Sequence, residues 1–371
     1  MTPFPDDGLC DFLFLESVTI NEAGKLVSEV QLYDALRRLR TYAKTVTKTV
    51  AGISFSNRNL SAIISSMKSR KGSQEFKELR KDNVFGYGVL RATLHKSTSV
   101  KEVDDITTLF RALRKLQKRN KPSNTTEVPH GKSYVVLGMV ILSEGTRAEK
   151  AHVRALFEDA ISRNQLNALI LRVDYNTDHH TDPKCRITGP NVWNGSYYED
   201  QPTYANTLAF LKTVNYPKGI IVAFSLSTAA HFYQLPETNR TSVLGVGGRC
   251  VERTENGGLL TTRANVCDTD GVSQANSSVD PNSIQRYVVD SDEQGFFFVY
   301  DDISTVRTKM CLASKFNRKW RFSWAAVNID MADDLSACNP NMTETFPTLR
   351  YMKSHMNGQF GKEACTKLVI E

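Results

Sequence analysis

Nowhere in the 371 residues is there a run of 18 apolar residues, so no segment has the length of a bilayer-spanning helix. The first residues, "MTPFPDDGLC", contain no basic stretch leading into an apolar one, so no secretory leader is visible. None of the seven cysteines sits in a C-x-x-C pair, which argues against a structural zinc site. No G-x-G-x-x-G opens a helix after a strand, which argues against a dinucleotide fold. No G-x-S-x-G elbow occurs either, and no cysteine has a nucleophile signature, so a serine or cysteine hydrolase has no support. The net charge of +7 is modest, and the densest basic run, "RALRKLQKRNK" (111–121), reads as the solvated face and end of a helix. Without basic residues gathered among aromatics, nucleic acid is not an expected partner, and neither is a membrane.

What is present is enough apolar residue (40%) for a sizeable core. Apolar runs suited to buried strands lie at 11–20, 48–56, 84–94, 133–142, 167–175, 218–226 and 322–331. Helical spacing of apolar residues marks 30–44, 59–80, 99–119, 147–162 and 304–316. Strands alternating with helices demand parallel pairing with crossover helices, an α/β class. Seven strands are one short of a closed eight-strand barrel; an open doubly wound sheet is the alternative. Between 232 and 295 the periodicity disappears into Gly, Asn, Ser, Asp and Thr, which reads as an insertion or long loops before the last strand.

The cysteines (Cys10, Cys185, Cys250, Cys267, Cys311, Cys338 and Cys365) are widely scattered, as in long-range disulfide frameworks of oxidising compartments. Six sequons, at Asn59, Asn124, Asn194, Asn239, Asn276 and Asn341, point the same way. Together they favour a secreted, extracellular glycoprotein. Cys311 and Cys338 flank the last helix–strand unit and are the plausible pair.

The order of several segments is more specific. "LCDFLFLESVTINEAGKL" has a cysteine before a strand and an Asn-x-x-Gly-Lys turn after it. "KTVAGISFSNRNLSAIISSMKSRKGSQEFKE" is a strand and helix, "FFFVYDDISTVRTKMCLASKF" carries a Tyr-Asp-Asp, "WAAVNIDMADDLSAC" ends a strand in acids and a cysteine, and "FPTLRYM" (346–352) opens a helix. In this order the chain resembles the chitinases of glycoside hydrolase family 18 over nearly its whole length. The resemblance implies a (β/α)8 TIM-type barrel formed by residues 1–371 as one domain, with 232–295 as the insertion between strands seven and eight. The cysteine before strand two of that family commonly pairs with one on strand one. No strand precedes Cys10, so the resemblance implies that the signal peptide and first strand lie outside this sequence.

Family 18 hydrolysis uses a carboxylic acid at the end of strand four to protonate the leaving oxygen, while the substrate's own N-acetyl group is the nucleophile. Its motif is Asp-Gly-x-Asp-x-Asp-x-Glu. The matching stretch is "YGVLRATL" (87–94): Gly88 keeps the glycine, Tyr87, Leu90 and Ala92 stand where the aspartates would be, and Leu94 stands where the acid would be. An alkyl side chain donates no proton. A shift of one residue places His95 at the acid position, still without the aspartates. The third-strand Ser-x-Gly-Gly reads "GISF" (52–55), and the sixth-strand Met-x-Tyr-Asp reads "LRVD" (171–174), keeping only Asp174. The floor tryptophan falls near Asn328, with Trp324 close by.

The expected function is therefore a catalytically inactive chitinase-like protein that binds through the strands' C-terminal face. Its partner would be chitin, another N-acetylglucosamine glycan, or a protein. Asp174, Asn328, Trp324, Trp193 and Tyr197 are the candidate ligand contacts, with Tyr198 beside them. The competing reading is an active hydrolase with a displaced acid, for which Asp174 and Glu16 are the available carboxylates. "DYNTDHHTDPKC" (174–185) suggests metal, but His179 and His180 are neighbours whose side chains diverge in an extended segment, so an exposed loop is expected and neither metal nor cofactor is implied. Asp301, Asp302, Asp333 and Asp334 read as capping and loop-pinning acids.

Overall fold

The computed structural model describes residues 4–29, 34–119, 133–142, 145–174, 185–195, 201–215, 218–236, 245–251, 260–268, 277–289, 295–316, 322–332, 344–358 and 365. In chain order the elements are β1 (Phe12–Ile20), β2 (Leu26–Ser28), α1 (Ala35–Thr45), β3 (Val50–Phe55), α2 (Leu60–Lys68), α3 (Arg70–Lys81), β4 (Val84–Leu94), α4 (Val100–Arg119), β5 (Tyr134–Ile141), α5 (Arg147–Arg163), β6 (Ala168–Arg172), α6 (Tyr204–Leu211), β7 (Ile221–Ser227), β8 (Ala230–Gln234), β9 (Leu260–Thr261), α7 (Arg263–Asp268), β10 (Ser278–Asp280), β11 (Gln285–Val289), β12 (Phe296–Tyr300), α8 (Ile303–Phe316), β13 (Phe322–Val327) and α9 (Pro347–Met356). All seven predicted strands are present as β1, β3, β4, β5, β6, β7 and β13. The predicted helix 59–80 is two helices. Ser69 ends α2 and caps α3, its hydroxyl accepting from the Gly72 amide at 3.0 Å.

The strands hydrogen-bond in the order β13-β7-β6-β5-β4-β3-β1-β2. Pairing is parallel from β1 through β3 and β4 to β5, with β2 antiparallel on β1. By its internal contacts the chain divides into two compact units. One holds Phe4–Leu171 and Thr213–Ala223; the other holds Arg172–Lys212 and the chain from Phe224 onward.

In the first unit β3 is buried throughout. Tyr87 of β4 turns to the helix layer, where its ring lies 5.9 Å from that of Phe76 on α3. The opposite face of the same strands holds Leu90, Val136, Ala168, Phe14 and Ile170. Phe14 reaches this interior because Gly52 and Gly86 lie beneath its ring. A Cβ on Gly52 would meet the ring at 2.6 Å, and one on Gly86 at 2.8 Å. Two strands break their alternation near their C-terminal ends. In β1 the register jumps between Leu15 and Val18, with Ser17 at φ 57°. In β4 it jumps between Val89 and Ala92. Each is a β-bulge, which moves every later side chain to the other face. Gly138 on β5 makes room for the second bulge, since a Cβ there would lie 2.5 Å from the Leu90 carbonyl oxygen.

In the second unit the stretch expected to be loop builds most of an antiparallel sheet, ordered β10-β11-β12-β8-β9. Its strands have two to five residues, too short for a sequence period to emerge. Its face packs Ile187, Tyr233, Leu235, Phe297 and Val299 against the Cys185–Cys250 disulfide. Cys311 is bonded to Cys365, which corrects the expected Cys311–Cys338 pair: the C-terminal stretch after α9 returns to α8. Cys338 lies outside the described residues. Cys267 is disulfide-bonded, and Cys10 is free of any disulfide.

Candidate functional site

The C-terminal ends of β1, β3 and β4 lie side by side, and the stretch of β4 from Tyr87 to Leu94 is the one that matches the family's acid motif. The aspartates and glutamate of the family motif recur at every second residue, which places them on one face of a regular strand. Here the alternation holds only to Leu90, which packs inward with Val136 and Phe14. After the bulge, Ala92 pairs with Met139 and Leu94 with Ile141; all four are buried on the helix side of the sheet. Thr93, paired with Val140, is exposed on the inner face. The bulge thus replaces Ala92 and Leu94 with Arg91 and Thr93 as the inward residues. Tyr87 is buried toward α3, its hydroxyl donating to the Val84 carbonyl at 3.1 Å, and burial pushes its pKa up.

Arg91 Nε donates to Glu16 Oε2 at 2.7 Å, joining the two bulged segments. Ser54 on β3 lies between them, its hydroxyl accepting from the Leu90 amide at 2.9 Å. Asn57 follows β3, and its amide nitrogen donates to the Arg91 carbonyl at 3.0 Å. His95 sits in the turn after β4, with Nδ1 2.9 Å from the Ser97 hydroxyl. The ends of these strands therefore hold a guanidinium, a carboxylate and hydroxyls, with no carboxylic acid on residues 87–95. Sequence reasoning reached Glu16 but missed Arg91, because spacing alone does not reveal a bulge.

The second unit has its own polar cluster at the ends of β6 and β7. Asp174 is buried and accepts from Arg172 through both oxygens, Nε at 2.6 Å and Nη2 at 2.5 Å. The amides of Val173 and Asp174 donate to the Ser225 hydroxyl at 2.8 and 3.1 Å. Tyr204 Oη donates to the Ser225 carbonyl at 2.7 Å; burial, with Asp301 and Asp174 nearby, raises its pKa well above the ordinary phenol range. Asn328 is left-handed at φ 55°, and its amide donates to the Ser227 hydroxyl at 2.9 Å. Trp193 and Trp324 both pack against Tyr204, at 5.6 and 5.8 Å between ring centroids. Trp324 also lies 5.9 Å from the Phe224 ring. Tyr197, Tyr198, His179 and His180 lie outside the described residues.

Asp301 accepts from Lys309 Nζ at 2.5 Å, from Thr305 Oγ1 at 2.7 Å and from Asn191 Nδ2 at 2.8 Å, all in the interior. Burial lowers the Lys309 pKa, against the opposing pull of Asp301. Asp302 starts α8, accepting from the Thr305 amide at 2.9 Å and the Ser304 hydroxyl at 2.6 Å, with Arg286 Nε at 2.7 Å. Burial raises its pKa, but these partners outweigh burial and leave the carboxyl below its ordinary value. These two acids pin loops and cap a helix. Asp333 and Asp334 lie outside the described residues. Of the sequons, Asn59 and Asn194 are exposed, while Asn124, Asn239, Asn276 and Asn341 fall outside the described residues. Among the described residues one group of metal-ligand types converges, Cys311, His355 and Cys365, but its two sulfurs are bonded to each other. No helix of the described residues is long and apolar enough to cross a membrane.

No family model and no curated protein sequence matches this chain. Solved structures do. An immunomodulatory active chitinase from Trichuris suis superposes with a TM-score of 0.62 at 13% identity, covering 94% of this chain and 92% of that one. Human YKL-39, described as a pseudo-chitinase with retained chitooligosaccharide binding properties, gives 0.60 at 15%, with 94% and 92% covered. A class V chitinase from Nicotiana tobaccum gives 0.59 at 12%, with 94% and 93% covered. The chain has the TIM-type barrel fold of the family 18 chitinases and chitinase-like proteins, as the order of its segments implied.

Proposed function

We propose that this chain is a chitinase-like protein, one barrel domain, that binds an N-acetylglucosamine-containing glycan at the strands' C-terminal ends without hydrolysing it. The observation that carries the reading is the end of β4. The residues facing inward there are Leu90, Arg91 and Thr93, and none can protonate a glycosidic oxygen. The two carboxylates that a displaced-acid mechanism would need are both engaged by guanidinium groups, Glu16 by Arg91 and Asp174 by Arg172. A solved neighbour with this fold is itself described as a pseudo-chitinase that keeps chitooligosaccharide binding, which supports retention of a glycan site after loss of chemistry. The disulfides and the exposed Asn59 and Asn194 sequons support an extracellular glycoprotein.

The test is a chitin-bead pull-down with a fluorogenic chitooligosaccharide assay run alongside. Retention on the beads without turnover is the expected result. Turnover abolished by Asp174→Asn or Glu16→Gln would replace this reading with a displaced-acid hydrolase. Neither retention nor turnover would leave a protein partner as the object of the search.

A further inference from the structure

Asn59 opens the sequon Asn59-Leu60-Ser61 and stands between β3 and α2. A strand-to-helix connection in this fold lies on the rim of the face at which the strands' C-termini open. Two residues earlier, the Asn57 carboxamide donates to the Arg91 carbonyl at 3.0 Å, which ties this connection to the end of β4. Two trans peptide steps keep the Asn59 Cα within about 8 Å of the Asn57 Cα. Asn59 precedes the first residue of α2, where an asparagine ordinarily accepts a hydrogen bond from one of the helix's first amides. Here its carboxamide caps no amide, and the residue is exposed. Ser61 is exposed as well, so both functional groups of the sequon are open to a modifying enzyme. Leu60 between them is buried and fixes the turn from which a sugar would depart. The position combines an accessible acceptor, an anchored base and a place beside the strand ends.

We propose that Asn59 carries an N-linked glycan and that this glycan competes with outside ligands for the ends of β1, β3 and β4. This rests on the reading of the chain as a glycan binder and adds the regulation of that site. Attachment joins Asn59 Nδ2 to the anomeric carbon of the first sugar; the lipid-linked pyrophosphate of the donor oligosaccharide leaves, and the amide gives up one proton. Such a glycan begins with β1,4-linked N-acetylglucosamine, the same linkage and sugar as chitin. A stem of that chemistry tethered at the rim acts at an effective concentration on the order of millimolar. The protein thus carries its own competitor, and trimming the glycan opens the site.

The experiment expresses the full chain through a eukaryotic secretory route, as the unaltered sequence and as Asn59→Gln. Peptide mass spectra report whether Asn59 is occupied, and calorimetric titration with chitohexaose reports affinity. The expected result is sugar on Asn59 and chitohexaose binding about threefold or more tighter in Asn59→Gln than in the glycosylated protein. Trimming the glycosylated protein with an endoglycosidase should give the same gain with the sequence unchanged. Because the Asn59 side chain caps nothing, the substitution should leave the melting temperature nearly unchanged, which melting curves check. An unoccupied Asn59, or equal affinity in the glycosylated protein and Asn59→Gln, would overturn the inference and leave the glycan reading standing. Failure of the glycosylated, trimmed and Asn59→Gln proteins alike to bind chitohexaose would overturn both.

Discussion

Arg91 Nε and Glu16 Oε2 meet at 2.7 Å, and each residue lies in the register jump of its own strand. The pair therefore joins two bulges across β3. With the partners 42% and 23% exposed, water and salt screen the attraction. Glu16→Gln should cost less than ~1 kcal/mol of stability in a denaturant titration. A larger loss would mean that the pair holds the bulges in place.

Placing an acid by sequence alignment should fail. Leu94 is 2% exposed beneath the helices, so Leu94→Glu buries a carboxyl without a partner. It should lower stability by about 2 kcal/mol or more and produce no turnover of a fluorogenic chitooligosaccharide. Thr93→Glu, on the exposed inner face, should leave the melting temperature nearly unchanged. The reverse ranking of the two variants would show that β4 is not bulged.

The Phe14 ring fills the space left by two missing side chains. Gly52→Ala or Gly86→Ala should destabilise by about 1–3 kcal/mol through overpacking, measured by chemical denaturation. Adding Phe14→Leu to either variant should recover part of the loss.

Lys309 and Asp301 form a fully buried pair. Lys309→Met strands the Asp301 carboxylate and should cost about 3–5 kcal/mol. Lys309→Met with Asp301→Leu should cost less than the single change, because no charge is left unpaired.

Acid should loosen the segment before β3. Asp7 accepts from the amides of Thr47, Lys48 and Thr49 at 2.9 Å each. Desolvation raises its pKa, but these bonds outweigh it and hold the carboxyl far below the ordinary carboxylate range. A depressed folded value means that the carboxylate stabilises the fold at all pH above about 4, and that the contribution fades as pH falls through and below that point. Asp7→Asn should therefore lower stability near neutrality and flatten its decline between about pH 4 and pH 2, read as melting temperature against pH.

Much of the fold was legible. The strand at 84–94 matches β4 end to end, because a strand covered on both sides shows as an unbroken apolar run. The antiparallel sheet was not legible: its short strands pair over long sequence distances, Phe298 with Phe232 for example, and no local period records that. At the site, Asp174 is legible as the retained acid of the sixth-strand motif, but its partner Arg172 falls on that motif's unconstrained second position, which carries no signal. Arg91 was hidden for a different reason. Reading every second residue from Leu90 leads to Ala92 and Leu94, and only the Met139 and Ile141 register reveals that these have crossed to the other face. The pairing of Cys311 was missed because proximity along the chain suggested Cys338, whereas the chain folds Cys365 back onto α8.

The Cys185–Cys250 bond encloses α6, β7 and β8 within a covalent ring of 65 residues' separation. A protease that cuts anywhere inside that ring opens it but releases nothing, since the fragments on either side stay tethered through the sulfurs. A nicked molecule would travel as a single band until reduced. In surroundings rich in proteases, such a protein outlasts its own cleavage, and its antiparallel sheet keeps both flanks in place after the backbone has been severed.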